Sequence, residues 1–230
     1  MVRQSVRAFL LAVPLGVCLS APPAPAGDVP KAIALLEVVA PTLPGHVPEA
    51  APLRFVLLET GQFYVGGSTG IAAGQLTSSE QKALEKRLAD VRKLPGISST
   101  VALGSGPQRA HLVVRKGRPL DTTITGETSS APPPLKPLAS LLDDLSSFDH
   151  PSLRPWKPEN FELRAREGKL PGGCRPWPFP EPLAGTDFVP RVVPASQVVY
   201  WPTGAAPALV CQGDKTWIVT LRPLMPGETP

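Results

Sequence analysis

An α+β fold, mainly antiparallel β with one capped amphipathic helix, a short second helix and proline-rich loops, is predicted by three features of the chain. Short runs of alternating apolar residues are separated by Gly- and Pro-rich turns. One window beginning near Thr77 carries a helical period behind a start signal. Proline is dense throughout: 31 prolines and 20 glycines occur among 230 residues. Together they fall below the roughly 25–30% at which aperiodic Pro+Gly marks disorder. With 42% hydrophobic residues the chain can bury a core. Its prolines restrict the unfolded chain and so favour the folded one.

The first segment reads as an export signal. MVRQSVR holds Arg3 and Arg7 and no acid, AFLLAVPLGVCLSA is an apolar run of 14 residues, and Ala24-Pro25-Ala26 precedes Gly27. A basic n-region, an apolar h-region and a small-x-small site describe a secretory signal peptide over 1–26. The apolar run is short of the roughly 20 residues a membrane span needs. No transmembrane segment is therefore expected after cleavage. Lipidation at Cys18 is disfavoured, because Val17 stands where a small residue is wanted. The expected location is secreted or periplasmic.

Residues 27–130 read as an α+β part. KAIALLEVVA suits a strand better than a helix, with Val38-Val39 at its end and Pro41 beyond. In LRFVLLETGQFYVGG, Leu53, Phe55 and Leu57 alternate, Thr60-Gly61 turns, and Phe63 and Val65 resume the alternation, which makes a hairpin. Thr77-Ser78-Ser79-Glu80 forms a capping box. Behind it Leu84, Leu88 and Val91 share one helical face, with Lys82, Glu85, Lys86 and Asp90 away from it, and Pro95-Gly96 stops the helix. RAHLVVRKGRPLDTTITG reads as a second hairpin turning at Lys116-Gly117. The outline is ββ-α-ββ.

APPPLKP at 131–137 reads as a polyproline-like connector. Residues 138–230 then read as a short helix followed by a β-rich part. LASLLDDLSSF places Leu138, Leu141, Leu142, Leu145 and Phe148 on one stripe. Phe161–Glu167 and RVVPASQVVYW are strand-like, and ALVCQ-GD-KTWIVTL is a hairpin whose Gly213 supplies positive φ. Export removes Cys18 and leaves Cys174 and Cys211, an even count that suits a disulfide in an oxidising compartment. Closing a loop of about 37 residues is worth about 4 kcal/mol in the chain-entropy account.

The segments FDHP, RPW and Trp201-Pro202, with the terminal Arg222-Pro223-Leu224-Met225-Pro226-Gly227-Glu228, carry a resemblance. Across much of residues 50–228 the chain resembles a group of uncharacterised secreted bacterial proteins and lipoproteins with an RPLxPGE-like C-terminal motif. That resemblance implies export and a similar fold, and implies no activity.

The most enzyme-like pattern is Gly66-Gly67-Ser68-Thr69-Gly70, which fits G-x-S-x-G. A nucleophile elbow needs a strand, a sharp turn with serine at its tip and a helix at once. Here IAAGQL intervenes before the helix start at Thr77. The sequence therefore favours a turn in which Gly66, Gly67 and Gly70 supply positive φ. No catalytic residue is assigned. His46, His111 and His150 lack ligand spacing, Asp143-Asp144 and Asp149 read as a solvated helix face, and no P-loop or dinucleotide fingerprint occurs. No metal or cofactor is expected.

Without Arg3 and Arg7, 21 of the 23 basic residues face 19 acids, a net charge of +2. No basic run with interleaved aromatics occurs, so a nucleic-acid partner is not expected. Trp156, Trp177, Tyr200 and Trp201 form an aromatic-proline group that reads as a binding surface for an envelope component or partner protein, or as core packing. Two functions follow: an exported non-enzymatic binding or accessory protein of the cell envelope, and, as the alternative, a secreted serine hydrolase using Ser68.

Overall fold

Alternation over residues 32–75 builds four successive antiparallel strands, β1 (Ala32–Val39), β2 (Leu53–Leu58), β3 (Gln62–Gly66) and β4 (Ile71–Gln75). The structure is a computed structural model that describes residues 30–39, 53–67, 70–169, 171–179, 182–183, 190–198 and 207–228. The β2–β3 turn uses Gly61 at φ 80°. β4 replaces the loop that the sequence suggests after Gly70. Gly74 leaves room for Phe63 of the neighbouring strand: a Cβ there would stand 2.3 Å from the Phe63 ring.

Helix α1 (Ser78–Val91) follows, with Thr77 as its N-cap. The Thr77 hydroxyl accepts from the Glu80 amide at 3.3 Å, and the Glu80 carboxylate accepts from the Thr77 amide at 2.8 Å. Beyond it lie β5 (Thr100–Ala102), β6 (Arg109–Val114) and β7 (Leu120–Thr125). β5 lies parallel to β7 and is only three residues long, too short for alternation to declare it. α2 (Lys136–Ser146) and β8 (Arg154–Trp156) come after the proline-rich connector. Among the described residues the first sheet has eight strands in the order β5-β7-β6-β1-β2-β3-β4-β8.

The sequence division assigns α2 to the second part, but α2 packs on the first sheet. Leu138, Leu141, Leu142 and Leu145 share one core with Leu84 and Leu88 of α1 and with Leu36, Phe55, Leu57 and Phe63. β8 extends the same sheet through Trp156↔Ile71. The cause is the leucine stripe, which finds its apolar counterpart on the helical face of this sheet. A register shift between Ala32 and Ala34 bulges β1 at Ile33, and Ile33 joins the helix-side core.

The second sheet holds β9 (Asn160–Glu167), β10 (Arg175–Pro176), β11 (Arg191–Pro194), β12 (Ala208–Gln212) and β13 (Lys215–Pro223), in the order β10-β12-β13-β9-β11. Its core gathers Phe161, Leu163, Val210, Trp217, Val219 and Leu221. β12 and β13 pair from Gln212↔Lys215, a two-residue turn with Gly213 at φ 63°. Among the described residues of RVVPASQVVYW, the short β11 is followed by a 3-10 turn at Ala195–Gln197, and Val199, Tyr200 and Trp201 lie outside the described residues. Pro194 cannot donate to a ladder, so the strand ends there. A Cys174–Cys211 disulfide with Cα atoms 5.5 Å apart ties the PGGC segment to β12. Among the described residues, no helix is long and apolar enough to cross a membrane.

The C-terminal RPLMPGE segment joins the two sheets. Met225 enters a cluster with Ala32, Val56, Leu58, Tyr64 and Ile71 on the face of the first sheet opposite the helices. Gly227, at φ 81°, lies so close to β1 that a Cβ would stand 2.7 Å from the Ala32 Cβ. Glu228 folds back, its Oε2 accepting from the Met225 amide at 2.6 Å and from Arg54 Nη1 at 2.7 Å. Arg54 Nη2 donates to the Pro223 carbonyl at 2.8 Å. Arg222 reaches Glu228 at 3.1 Å, Glu162 at 2.5 Å and Glu37 at 3.7 Å, and Arg164 also pairs with Glu162. Three arginines thus face three glutamates in a largely buried cluster. Burial opposes the charge of Arg222, but Glu228, Glu162 and Glu37 outweigh it and push its pKa up.

Candidate functional site

Ser68 and Thr69 lie outside the described residues, and so do His46, Tyr200 and Trp201. What flanks Ser68 is a strand on either side, because Gly66 pairs with Ile71. The helix that an elbow requires begins only at Ser78. The expectation of positive φ fails at Gly66 and Gly70, for which no such φ occurs. Gly66 is needed for space instead: a Cβ there would lie 2.3 Å from the Gly70 carbonyl oxygen and 2.8 Å from the Ile71 Cα.

A second serine stands beside a histidine. Ser152 Oγ is 2.7 Å from His150 Nδ1, and His150 Nε2 is 3.4 Å from Glu80 Oε1. The hydroxyl is already engaged with β4, accepting from the Gln75 amide at 2.9 Å and lying 3.1 Å from the Gln75 carbonyl. The Ser152 amide donates to Nδ1 at 3.1 Å. This makes Nδ1 the acceptor nitrogen and directs an Nε2 proton to Glu80. The imidazole packs edge-on to Phe63, 5.5 Å between centroids, and lies parallel to the Phe148 ring. The three side chains tie the turn before β8 to β4 and to the start of α1.

The remaining sequence candidates also have structural partners. His111 Nε2 meets Asp121 Oδ1 at 2.7 Å across the β6–β7 pair. Asp143 accepts from the Thr128 hydroxyl at 2.7 Å, and Asp144 pairs with Arg87. Among the described residues no group of three or more His, Cys, Asp or Glu side chains could hold a metal ion. Trp156 packs edge-on to Tyr64 at 5.1 Å in the first sheet, whereas Trp177 packs edge-on to Phe179 at 4.8 Å beside the second. The two tryptophans therefore sit on different sheets, each against a neighbouring ring.

A ligand-sized space lies where α1 meets the β6–β7 turn. Lys82, Glu85, Lys86 and Ala89 recur at helical spacing and form one wall of a cavity of about 300 Å³, with Ile33, Leu88 and Val114 beneath. Arg92, at the helix end, donates to the Lys116 carbonyl at 2.6 Å and to the Arg118 carbonyl, fixing the turn against the helix. Lys116 then reaches both oxygens of Glu85 at 2.7 Å. A larger space of about 750 Å³ adjoins it, sharing Ile33 and Lys116 and adding Lys31, Glu59, Arg115 and Gly227.

The lining of the two lobes holds six cationic side chains against Glu59 and Glu85, an excess of four. The chain from Gly27 onward has an excess of only two, 21 basic against 19 acidic residues. The lining of this groove thus carries a local excess of positive charge. Glu85 is already paired with Lys116. Among the described residues, the Lys31, Lys82 and Lys86 ammonium groups make no hydrogen bond or ion pair, and Arg115 has only a 3.5 Å bond to the Gly227 carbonyl. A cleft with low-dielectric walls and charge of one sign focuses field lines and raises the local concentration of counter-ions. Sequence reading missed the groove because its cations come from the start of β1, one helix face and one turn, with no basic run to betray them.

No family model matches the chain, and no curated protein matches it.

Proposed function

We propose that this chain is an exported, non-enzymatic binding or accessory protein of the bacterial cell envelope, with the cationic groove as its binding face. The observation that carries the reading is the gathering of cations around a ligand-sized space, of which Lys31, Lys82, Lys86 and Arg115 make no ion pair among the described residues. The capped, amphipathic character of α1 supports it, since the apolar stripe anchors the helix while its outer face supplies Lys82 and Lys86. Export rests on the n-region, h-region and Ala24-Pro25-Ala26 pattern, and the Cys174–Cys211 disulfide accords with an oxidising compartment. The mature chain then starts at Gly27, and N-terminal sequencing of the exported protein tests this; a lipid-modified Cys18 as first residue would replace it with an anchored form.

The binding reading is tested in cells. Wild-type protein is expected to co-fractionate with an envelope component, and the double reversal Lys31→Glu/Arg115→Glu should release it into the soluble fraction while the fold melts normally. Retention of the double variant would overturn the reading. Ester or peptide hydrolysis that disappears in Ser68→Ala would establish the serine hydrolase instead.

A further inference from the structure

We infer that the groove takes a small oligophosphate, an anion with several phosphate groups held across both lobes at once. The inference deepens the binding reading and rests on it. Four observations lead there. The excess of four positive charges would be left mostly uncompensated by a single carboxylate or phosphate. The donors without an ion pair among the described residues are of two kinds, the ammonium groups of Lys31, Lys82 and Lys86 and the guanidinium of Arg115, whose one bond is the 3.5 Å contact to the Gly227 carbonyl. Ammonium groups act as point charges on phosphate oxygens, and the guanidinium fork takes two oxygens together.

The lining is also informative for what it omits. It is aliphatic and charged, with no aromatic side chain among the described residues. A nucleobase or sugar is ordinarily held by a ring on which it stacks. This groove has no such platform, which favours the phosphate groups themselves as the recognised part. Finally, the spaces of about 300 and 750 Å³ lie in the range of small-molecule sites. Arg92 holds the turn to α1 before any ligand arrives, so little ordering remains to be done on binding.

The test uses the mature, disulfide-bonded chain and isothermal titration calorimetry with sodium tripolyphosphate, inorganic phosphate and citrate. Tripolyphosphate should bind at least about tenfold more tightly than the other two, since each further charged hydrogen bond is worth roughly that factor. Lys31→Gln/Arg115→Gln and Lys82→Gln/Lys86→Gln should each weaken it about tenfold or more. Lys215→Gln, in an exposed pair with Glu167 on the second sheet, should leave it unchanged. Vesicles of phosphatidylglycerol, with tripolyphosphate as competitor, separate a lipid source of phosphate from a free one: capture that tripolyphosphate displaces supports the same site chemistry. Citrate binding as tightly as tripolyphosphate, or indifference to both double variants, would overturn the inference. A single-stranded oligonucleotide outcompeting tripolyphosphate would overturn it as well. Should tripolyphosphate fail while Lys31→Glu/Arg115→Glu still releases the protein from the envelope, the ligand class falls and the binding reading stands.

Discussion

Replacing Glu228 by glutamine is expected to cost about 3–5 kcal/mol, the range for breaking a buried ion pair by removing one partner. Glu228 and Arg54 have side-chain exposures of 1% and 0%, so neither charge can turn to water. Arg54 is the more vulnerable of the two. Its Nε has no hydrogen-bond partner among the described residues, burial pulls its pKa down, and Glu228 is the leading influence that holds it up. Without the carboxylate, three arginines would face only Glu37 and Glu162. For a chain of this length, 1 kcal/mol moves Tm by about 2–4 °C, so Glu228→Gln should melt about 6–20 °C lower. Differential scanning calorimetry and urea titration read by tryptophan fluorescence both measure it. The double variant Arg54→Met/Glu228→Gln restores charge balance, keeps an oxygen for the Met225 amide, and should recover most of the loss. A Glu228→Gln shift below about 2 °C, or a double variant no better than the single, would refute the account of how the sheets are joined.

Reduction of Cys174–Cys211 should destabilise by up to about 4 kcal/mol and loosen the second sheet first, read as faster amide exchange in β12 and β13 than in β1 or β2; uniform loosening would contradict it. Thr77→Ala should cost about 1 kcal/mol in a denaturant titration. The Thr77 hydroxyl, then its amide, hold the Glu80 carboxyl below the ordinary glutamate range. That support is present at neutral pH and is lost as pH falls from the unfolded value through the lowered folded one; Thr77→Ala should flatten the acid limb of a Tm–pH curve, and an unaltered limb would count against the cap. Gly66→Ala should destabilise the β3–β4 hairpin, because its Cβ would meet backbone atoms rather than a movable side chain; a variant as stable as wild type would show that the hairpin can open without loss.

Several elements could be read from the sequence because their signals are local. The capping box before α1, the alternation of Phe55, Leu57, Phe63 and Val65, Gly213 in a two-residue turn and the pair of cysteines each act within a few residues or through one covalent link. Other features had no local signal. β4 carries Gly74 where Phe63 of the paired strand needs the room, and β5 is three residues long. α2 follows a proline connector that reads as a boundary, yet its leucines are drawn to the first sheet by apolar burial. The RPLMPGE motif stands out in the sequence, but only the tertiary structure reveals its partner, Arg54, 174 positions away from Glu228. The groove shows the same dependence most clearly. Lys31, Lys82, Lys86, Arg92, Arg115 and Lys116 are dispersed along the chain, and antiparallel pairing of β1 with β6, together with α1 packed across them, brings their charges to one end of the sheet. Electrostatic potential depends on distance through space, and only the folded chain sets that distance.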